Sequence, residues 1–454
     1  MELTDWLVPA VRAIEEWQAS FGSFTRHPSL EVSDEAMRAA LDRLTSRLED
    51  NYPFGHPRYA GQMLKPPHPA AVVGYLAAML INPNNHALDG GPATAAMEKE
   101  VVADLAHMLG YQDEHLGHLT TSGTIANLEA LFVARETHPE KGIAHSVDAH
   151  YTHGRMAALL RMPSRAIATE ADGRMSLTAL EEALDSGQVG TVVATAGTTG
   201  LGSVDPVDEI IERCHARGVR VHVDTAYGGF FSLIPDALDP AAAQAFSAVG
   251  RADSVVIDPH KHGLQPYGCG AVLFRDPSVG RHYSHDSPYT YFTSDELHLG
   301  EISLECSRSG SAAAALWLTL QVLPLTADGL GAVLRPAREA ALDWHARLED
   351  SKVLASYQRP QLDIVSMLPQ VASMGECDRV SAAVMERGMT LPPDETVFLA
   401  TYLVDANALA AHGFSLEADV DRARILRSVM MKPEAADWVE TLFPLVERLA
   451  REAS

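Results

Sequence analysis

The sequence predicts an α/β protein with a doubly wound parallel sheet, followed by a smaller α+β region. Three observations predict it. Between about residues 100 and 275, short β-branched runs alternate with amphipathic helical runs, the pattern of strands covered by helices. Within that stretch GTVVATAG (190–197), DPVDEIIERCHARG (205–218) and VRVHVD (219–224) read as strand, helix and strand, one complete βαβ unit. From about residue 330 onward helical periodicity dominates, broken by strand-like runs such as QLDIVSML (361–368) and VFLATYLV (397–404).

In chain order, residues 1 to about 50 place Trp6, Leu7, Val11 and Ile14, then Met37, Leu41, Leu44 and Leu48, at helical spacing among charged residues. Two amphipathic helices follow from this, and with little of their own to pack on they are expected to clasp a partner surface. The stretch from Tyr52 to Pro92 is dense in Pro, His and Asn, including HPRYAGQMLKPPHP and NPNNHALDGGPAT, and predicts ordered irregular loops rather than regular structure. DSVVID (253–258) and GAVLF (270–274) continue the strand series. The helix between the first two strands has Asp205 as N-cap, Pro206 at its first position and a stripe of Val207, Ile210, Ile211 and Cys214, with Gly218 as its stop. A connecting helix starts near Ser311.

Composition excludes more than it identifies. Thirty-five Lys and Arg against 60 Asp and Glu give a formal charge of −25, a surface that repels phosphate backbones, so nucleic acid is not an expected partner. No apolar run reaches membrane-spanning length, and the N-terminal MELTDWLVPAVRAIEEW lacks a basic leader region, so a cytoplasmic location is expected. Cys214, Cys269, Cys306 and Cys377 are too scattered for a disulfide framework or a zinc site and read as buried thiols. No metal site is expected, because the His150 and His153 pair has no third ligand at suitable spacing.

Ligands of open α/β sheets bind beyond the carboxyl ends of the strands, so the polar residues that follow strand runs carry the functional signal. Asp224 ends VRVHVD, and a carboxylate there is costly unless a cation or donor awaits it. An N-cap or an ordinary ion pair explains it equally well in isolation. Lys261 follows DSVVID between His260 and His262, where imine chemistry is possible, although a solvated lysine is the commoner case. Thr120-Thr121-Ser122-Gly123-Thr124 opens a helix and offers hydroxyls and free amides to an anion, or simply caps. His150 alone is ambiguous.

Together these segments resemble the pyridoxal-phosphate (PLP) dependent group II amino-acid decarboxylases. The matching pieces are GPATAAMEKEV (91–101), GHLTTSGTIANLEALFVAR (117–135), the His150 segment, DGRMSLTALEEAL (172–184), VVATAGTTGLGSVDPVDEI (192–210), VHVDTAYGGF (221–230), ADSVVIDPHKHGLQPYGCGAVLF (252–274) and LECSRSGSAAAALW (304–317). They keep the family's order over about half the chain. GHLTTSGTIANLEAL, DPHKHGLQPYGCG and LECSRSG look closest to bacterial tyrosine decarboxylases. Ser122 stands where many members have glycine, His262 where many animal and plant members have tryptophan, and Arg308 where tyrosine decarboxylases lead one to expect lysine.

The resemblance implies the fold of the aspartate-aminotransferase-like type I PLP enzymes: a helical N-terminal arm (1–55), a large domain with a mostly parallel seven-stranded sheet (56–325) and a small C-terminal α+β domain (326–454). It further implies that Lys261 carries pyridoxal 5′-phosphate as a Schiff base, that Asp224 pairs with the pyridine nitrogen, and that His150 and the methyl of Ala226 cover the two ring faces. Gly123, Thr124 and His260 would hold the phosphate, and Thr198 would lie near the ring substituents. A loop tyrosine in YSHDSPYTYF (283–292), Tyr289 ahead of Tyr291, would protonate the product carbon. The implied enzyme is a homodimer with active sites at its interface that decarboxylates an L-amino acid, tyrosine-like rather than acidic. A retro-aldol lyase or an aldehyde-forming decarboxylative oxidase on the same scaffold stays open, as does transamination with Arg308 or Arg427 gripping the substrate carboxylate.

Overall fold

A computed structural model describes residues 2–283 and 297–454. Eleven strands form two sheets among these residues. The larger contains β1 (Leu116–Thr120), β2 (Gly142–Ser146), β3 (Ser164–Ile167), β4 (Val189–Thr195), β5 (Arg220–Asp224), β6 (Ser254–Ile257) and β7 (Gly270–Phe274), in the order β1-β7-β6-β5-β4-β2-β3. Neighbours from β3 through β6 are parallel, whereas β7 runs antiparallel to both β6 and β1. GAVLF therefore completes the sheet as a reversed strand. Every residue of β4, β6 and β7 is buried, as expected of strands covered on both faces.

The predicted βαβ unit is present with one correction. Helix Val207–His215 buries Val207, Ile210, Ile211 and Cys214, and Gly218 follows it at φ +65°. Full burial of each such side chain is worth about 1.5–3 kcal/mol, which fixes the helix against the sheet. Asp205 does not cap it. Its carboxylate instead accepts from the amides of Met175 (2.6 Å) and Thr195 (2.7 Å), tying the end of β4 to the preceding turn.

The N-terminal helices are α1 (Leu3–Ala19) and α2 (Asp34–Leu48). The expected loop region from Tyr52 to Pro92 contains a further helix, α3 (Pro69–Met79). Its run PAAVVGYLAAM is apolar on all sides and so shows no amphipathic stripe to read. Pro69 opens it, His68 Nδ1 accepts from the amide of Ala70 at 3.2 Å, and Gly74 lets it approach helix Ser311–Val322, where a Cβ would stand 2.8 Å from the Ala314 carbonyl oxygen. Next come α4 (Pro92–Met108), α5 (Gly123–Thr137) and α6 (Thr152–Leu159).

The smaller sheet is antiparallel throughout, ordered β10 (Ala400–Asp405), β11 (Arg422–Val429), β9 (Ile364–Pro369) and β8 (Leu354–Ser356). It packs beneath helices Leu330–Asp350, Met374–Thr390 and Ala435–Ala453 around Trp344, Val365, Leu426 and Val446. Cys214, Cys269 and Cys377 are buried thiols, but Cys306 is exposed, contrary to expectation. No helix among the described residues is long and apolar enough to cross a membrane.

Candidate active site

Parallel register brings the ends of three strands side by side. Thr195 of β4 pairs with Asp224 of β5, and Asp224 with Val256 of β6, so Asp258 to Lys261 emerge next to Asp224. Ser122 caps α5 from the other side, its Oγ accepting from the Ile125 amide at 3.3 Å. These segments enclose a cavity of about 310 Å³ lined by Gly123, Thr124, His150, Asp224, Ala226, His260 and Lys261, among others. Seven of the sequence-predicted residues thus meet in one place.

Asp224 is 5% exposed and accepts from His153 Nε2 at 2.9 Å and from the Ala226 amide at 3.0 Å, with Asn127 Nδ2 at 3.4 Å. Burial alone would raise its pKa. The His153 hydrogen bond and charge, the Ala226 amide and the charge of Lys261 outweigh burial and hold the carboxyl well below the usual carboxylate range. It is an anion with one face left to the cavity. His222 Nε2 lies 2.9 Å from Asn127 Oδ1, and burial lowers its pKa to about 3, so this second layer is neutral.

Lys261 Nζ lies 3.1 Å from Asp258 Oδ2, a buried carboxylate whose Oδ1 has no hydrogen-bond partner among the described residues. Asp258 also explains Gly123: a Cβ there would sit 2.5 Å from Asp258 Oδ2, so only glycine lets the carboxylate and the start of α5 approach so closely. His260 Nδ1 meets the Cys269 carbonyl at 2.7 Å, and burial lowers its pKa, leaving a neutral ring beneath Tyr267. His150 is likewise kept neutral by burial, with Nδ1 2.7 Å from Thr152 Oγ1. It stands in the wall between this cavity and a second one of about 640 Å³, lined by Tyr151, Leu201, Tyr402, Leu403, Arg422 and Arg427, among others.

Thr198 is not brought into the first cavity. Its buried hydroxyl accepts from the Ser203 amide at 3.0 Å, and Thr195 and Thr199 line the cavity in its place. Tyr289 and Tyr291 lie outside the described residues. Neither arginine considered for a carboxylate grip is uncommitted. Arg308 pairs with Glu98 at 3.0 Å and donates to the Leu119 carbonyl, and Arg427 donates to the carbonyls of Gly61 (3.2 Å), Thr199 (2.5 Å) and Gly200 (2.8 Å). Sequence reasoning missed His153, Asn127 and Asp258. The first lies one helical turn after His150 and the second one turn after Gly123, spacings that place each beside a residue already singled out.

The polar ends of this cavity fit a PLP molecule: helix amides at Gly123 and Thr124 for a phosphate, an anionic Asp224 for a protonated ring nitrogen, and an amine at Lys261 for an aldehyde. Comparison with known proteins agrees. Residues 54–353 match the pyridoxal-dependent decarboxylase conserved domain. The chain is 30% identical over 422 residues to an L-tyrosine decarboxylase of Enterococcus faecium, covering 71% of this chain and 69% of that protein. It is 31% identical over 310 residues to a probable L-tyrosine/L-aspartate decarboxylase of Methanothrix thermoacetophila, covering 68% and 76%. The fold matches the crystal structure of Oryza sativa TDC with PLP and tryptamine at a TM-score of 0.81, with 18% identity over 99% of this chain and 97% of that one. The chain belongs to the pyridoxal-dependent decarboxylases, carboxy-lyases that work with pyridoxal 5′-phosphate.

Proposed function

We propose that this chain is an L-amino-acid α-decarboxylase releasing an amine and carbon dioxide, with Lys261 as its cofactor lysine and a tyrosine-like substrate preferred. The observation that carries this reading is the convergence of Lys261, Asp224 and His150 on one cavity that the start of α5 opens onto. When bound, PLP supplies an electron sink for the pair released as the Cα–carboxylate bond breaks. Asp224, held anionic by His153, would keep a proton on the ring nitrogen. Gly123, Thr124 and His260 would hold the phosphate, and His150 and Ala226 would flank the ring. Asp258 would hold the Lys261 side chain by its 3.1 Å contact whenever that nitrogen is not joined to the cofactor. Tyr289 would return a proton to Cα. Thr198, whose hydroxyl accepts from the Ser203 amide, would lie near the ring substituents, with its neighbour Thr199 lining the cavity.

Support for an aromatic substrate comes from the tyrosine decarboxylase relatives and from Tyr151, Tyr402, Leu201 and Leu403, which wall the larger cavity beyond His150. One observation favours a second reading, an acidic substrate: Arg422 lines that cavity and forms no ion pair among the described residues. Incubation with a panel of L-amino acids, measuring carbon dioxide, amine, aldehyde and ammonia, tests both. Amine with stoichiometric carbon dioxide, fastest from tyrosine, is expected. Aldehyde with ammonia would overturn decarboxylation to the amine, and faster turnover of aspartate or glutamate would overturn the aromatic preference.

The active unit in this reading is a homodimer in which a second copy covers α1 and α2. Met37, Leu41, Leu44 and Leu48 form one apolar row on α2 and all four are exposed. The thiols are all free and the net charge is −25, which suits a reducing, cytoplasmic setting with no nucleic-acid partner.

A further inference from the structure

His262 directly follows Lys261, yet its side chain is fully buried and points away from solvent into a packed cluster. Its ring meets Tyr227 edge-on at 4.8 Å and Phe231 at 5.1 Å, and neither ring nitrogen has a hydrogen-bond partner among the described residues. Tyr227 comes three residues after Asp224. Its Oη donates to Oδ1 of Asp363 at 2.5 Å, and Oδ2 of the same carboxylate lies 3.3 Å from His262 Nε2.

Asp363 belongs to the other half of the molecule, immediately before β9, and is completely buried. Its surroundings hold it still. Arg338 Nη1 donates to the carbonyls of Pro360 and Leu362, each at 2.8 Å, and the Met430 amide donates to the carbonyl of Asp363 at 2.8 Å. The Lys261 loop, in contrast, contains Leu264 at φ +60°, a left-handed conformation that a leucine keeps only when its neighbours hold it there. The charged and titratable groups acting on Asp363 are Tyr227, His262, Lys65, Arg338 and Arg427. Burial pushes the Asp363 carboxyl up, opposed by the Tyr227 hydrogen bond and the charge of Lys65, while burial drives His262 well below its ordinary value into the neutral form.

A buried carboxylate whose side-chain hydrogen bond comes from one hydroxyl, with Lys65, Arg338 and Arg427 acting through charge alone, is a poor device for stability, since apolar residues of equal volume would fill the space at lower cost. Its geometry serves another purpose. We propose that Asp363 is a positioning residue for the cofactor site: reaching in from the smaller sheet, its carboxylate holds Tyr227, on the loop carrying Asp224, by a hydrogen bond, and the Tyr227 ring in turn packs against His262, on the loop carrying Lys261. The spacing of amine and carboxylate across the cavity is then set by the smaller sheet. This proposal rests on Lys261 being the cofactor lysine.

The test uses the full-length enzyme loaded with PLP and four variants, Asp363→Asn, Tyr227→Phe, the two combined, and Lys261→Ala. Visible absorbance of the lysine-linked cofactor is followed across pH, kcat and KM are separated, and the melting temperature of the cofactor-free protein is recorded. Asp363→Asn and Tyr227→Phe are expected to move the pH midpoint of the absorbance by about half a unit or more. Both should lower kcat about tenfold and leave KM within about twofold. The double variant is expected to be no worse than the weaker single one, because both break the same link. If Asp363→Asn does not fold, Tyr227→Phe, which removes a single hydroxyl, decides the question. An unchanged midpoint and unchanged kcat in Tyr227→Phe, with the absorbance lost in Lys261→Ala, would overturn the positioning role alone. Absorbance retained in Lys261→Ala would overturn the cofactor reading and the proposal with it.

Discussion

At the carboxyl ends of β4, β5 and β6 the chain supplies its own partners, whereas α1 and α2 leave theirs to something else. Asp224 and Asp205 each accept two hydrogen bonds shorter than or equal to 3.0 Å, from His153, the Ala226 amide and the amides of Met175 and Thr195. Those bonds come from four different segments, so protein groups alone fix both carboxylates. Helix α2 has 15 residues and buries none of them, a length at which an isolated helix is marginal in water. Helix α1 half-buries Leu7, Ala10, Val11 and Ile14 against α3 but leaves Trp6 and Trp17 exposed. One region is preorganised by burial and hydrogen bonding; the other has amphipathic pattern without a covering surface. In the proposed homodimer, chemistry and assembly would fall to different parts of the chain.

The largest break in that comparison is expected from Asp224→Ala, which removes the buried anion. We expect kcat to fall on the order of 10²–10³-fold, read in a carbon dioxide release assay, with the protein still folded by circular dichroism. Gly123→Ala comes next, since its Cβ would stand 2.5 Å from Asp258 Oδ2 and force α5 and the Lys261 loop apart. Cofactor affinity, measured by fluorescence titration of the cofactor-free protein, should weaken roughly tenfold or more.

The other side of the comparison is sharpened by Leu41→Glu combined with Leu44→Glu, which makes the exposed row of α2 polar without touching the cavity. Light scattering should show dimer turning into monomer, while the isolated chain keeps its melting temperature to within about 2 °C, as surface substitutions do. The smallest effect concerns Lys432, which is 3% exposed and donates to the Tyr59 carbonyl at 2.6 Å. Burial first, and the charge of Lys65 second, lower its pKa to about 8. Between pH 8 and the ordinary lysine range the unfolded chain binds more protons than the folded one, so stability rises with pH there. The melting temperature of the wild type relative to Lys432→Met should climb by about 1–3 °C across that window.

Much of the site was legible because strand ends announce themselves. VRVHVD stops at a carboxylate and DSVVID leads into PHK, and the parallel register then sets the two side by side. The partner of Asp224 was less legible, because His153 reaches it from α6, 71 positions away, and only the spacing from His150 hinted at it. Asp363 carried no local signal at all, since its role depends on how the smaller sheet docks. Helix α3 was hidden for the opposite reason: a segment apolar on every side has no period to detect, and its flanking Pro, His and Asn residues read as loop. The reversal of β7 was equally silent, as an all-buried strand looks the same in either direction.

The central claim is that Lys261 is the residue that holds PLP. Borohydride reduction of the loaded enzyme, followed by peptide mapping, tests it most directly. The phosphopyridoxyl group is expected on the peptide containing Asp258-Pro259-His260-Lys261, with no labelling and no visible cofactor absorbance in Lys261→Ala. Label recovered on another lysine, or undiminished absorbance in Lys261→Ala, would contradict it.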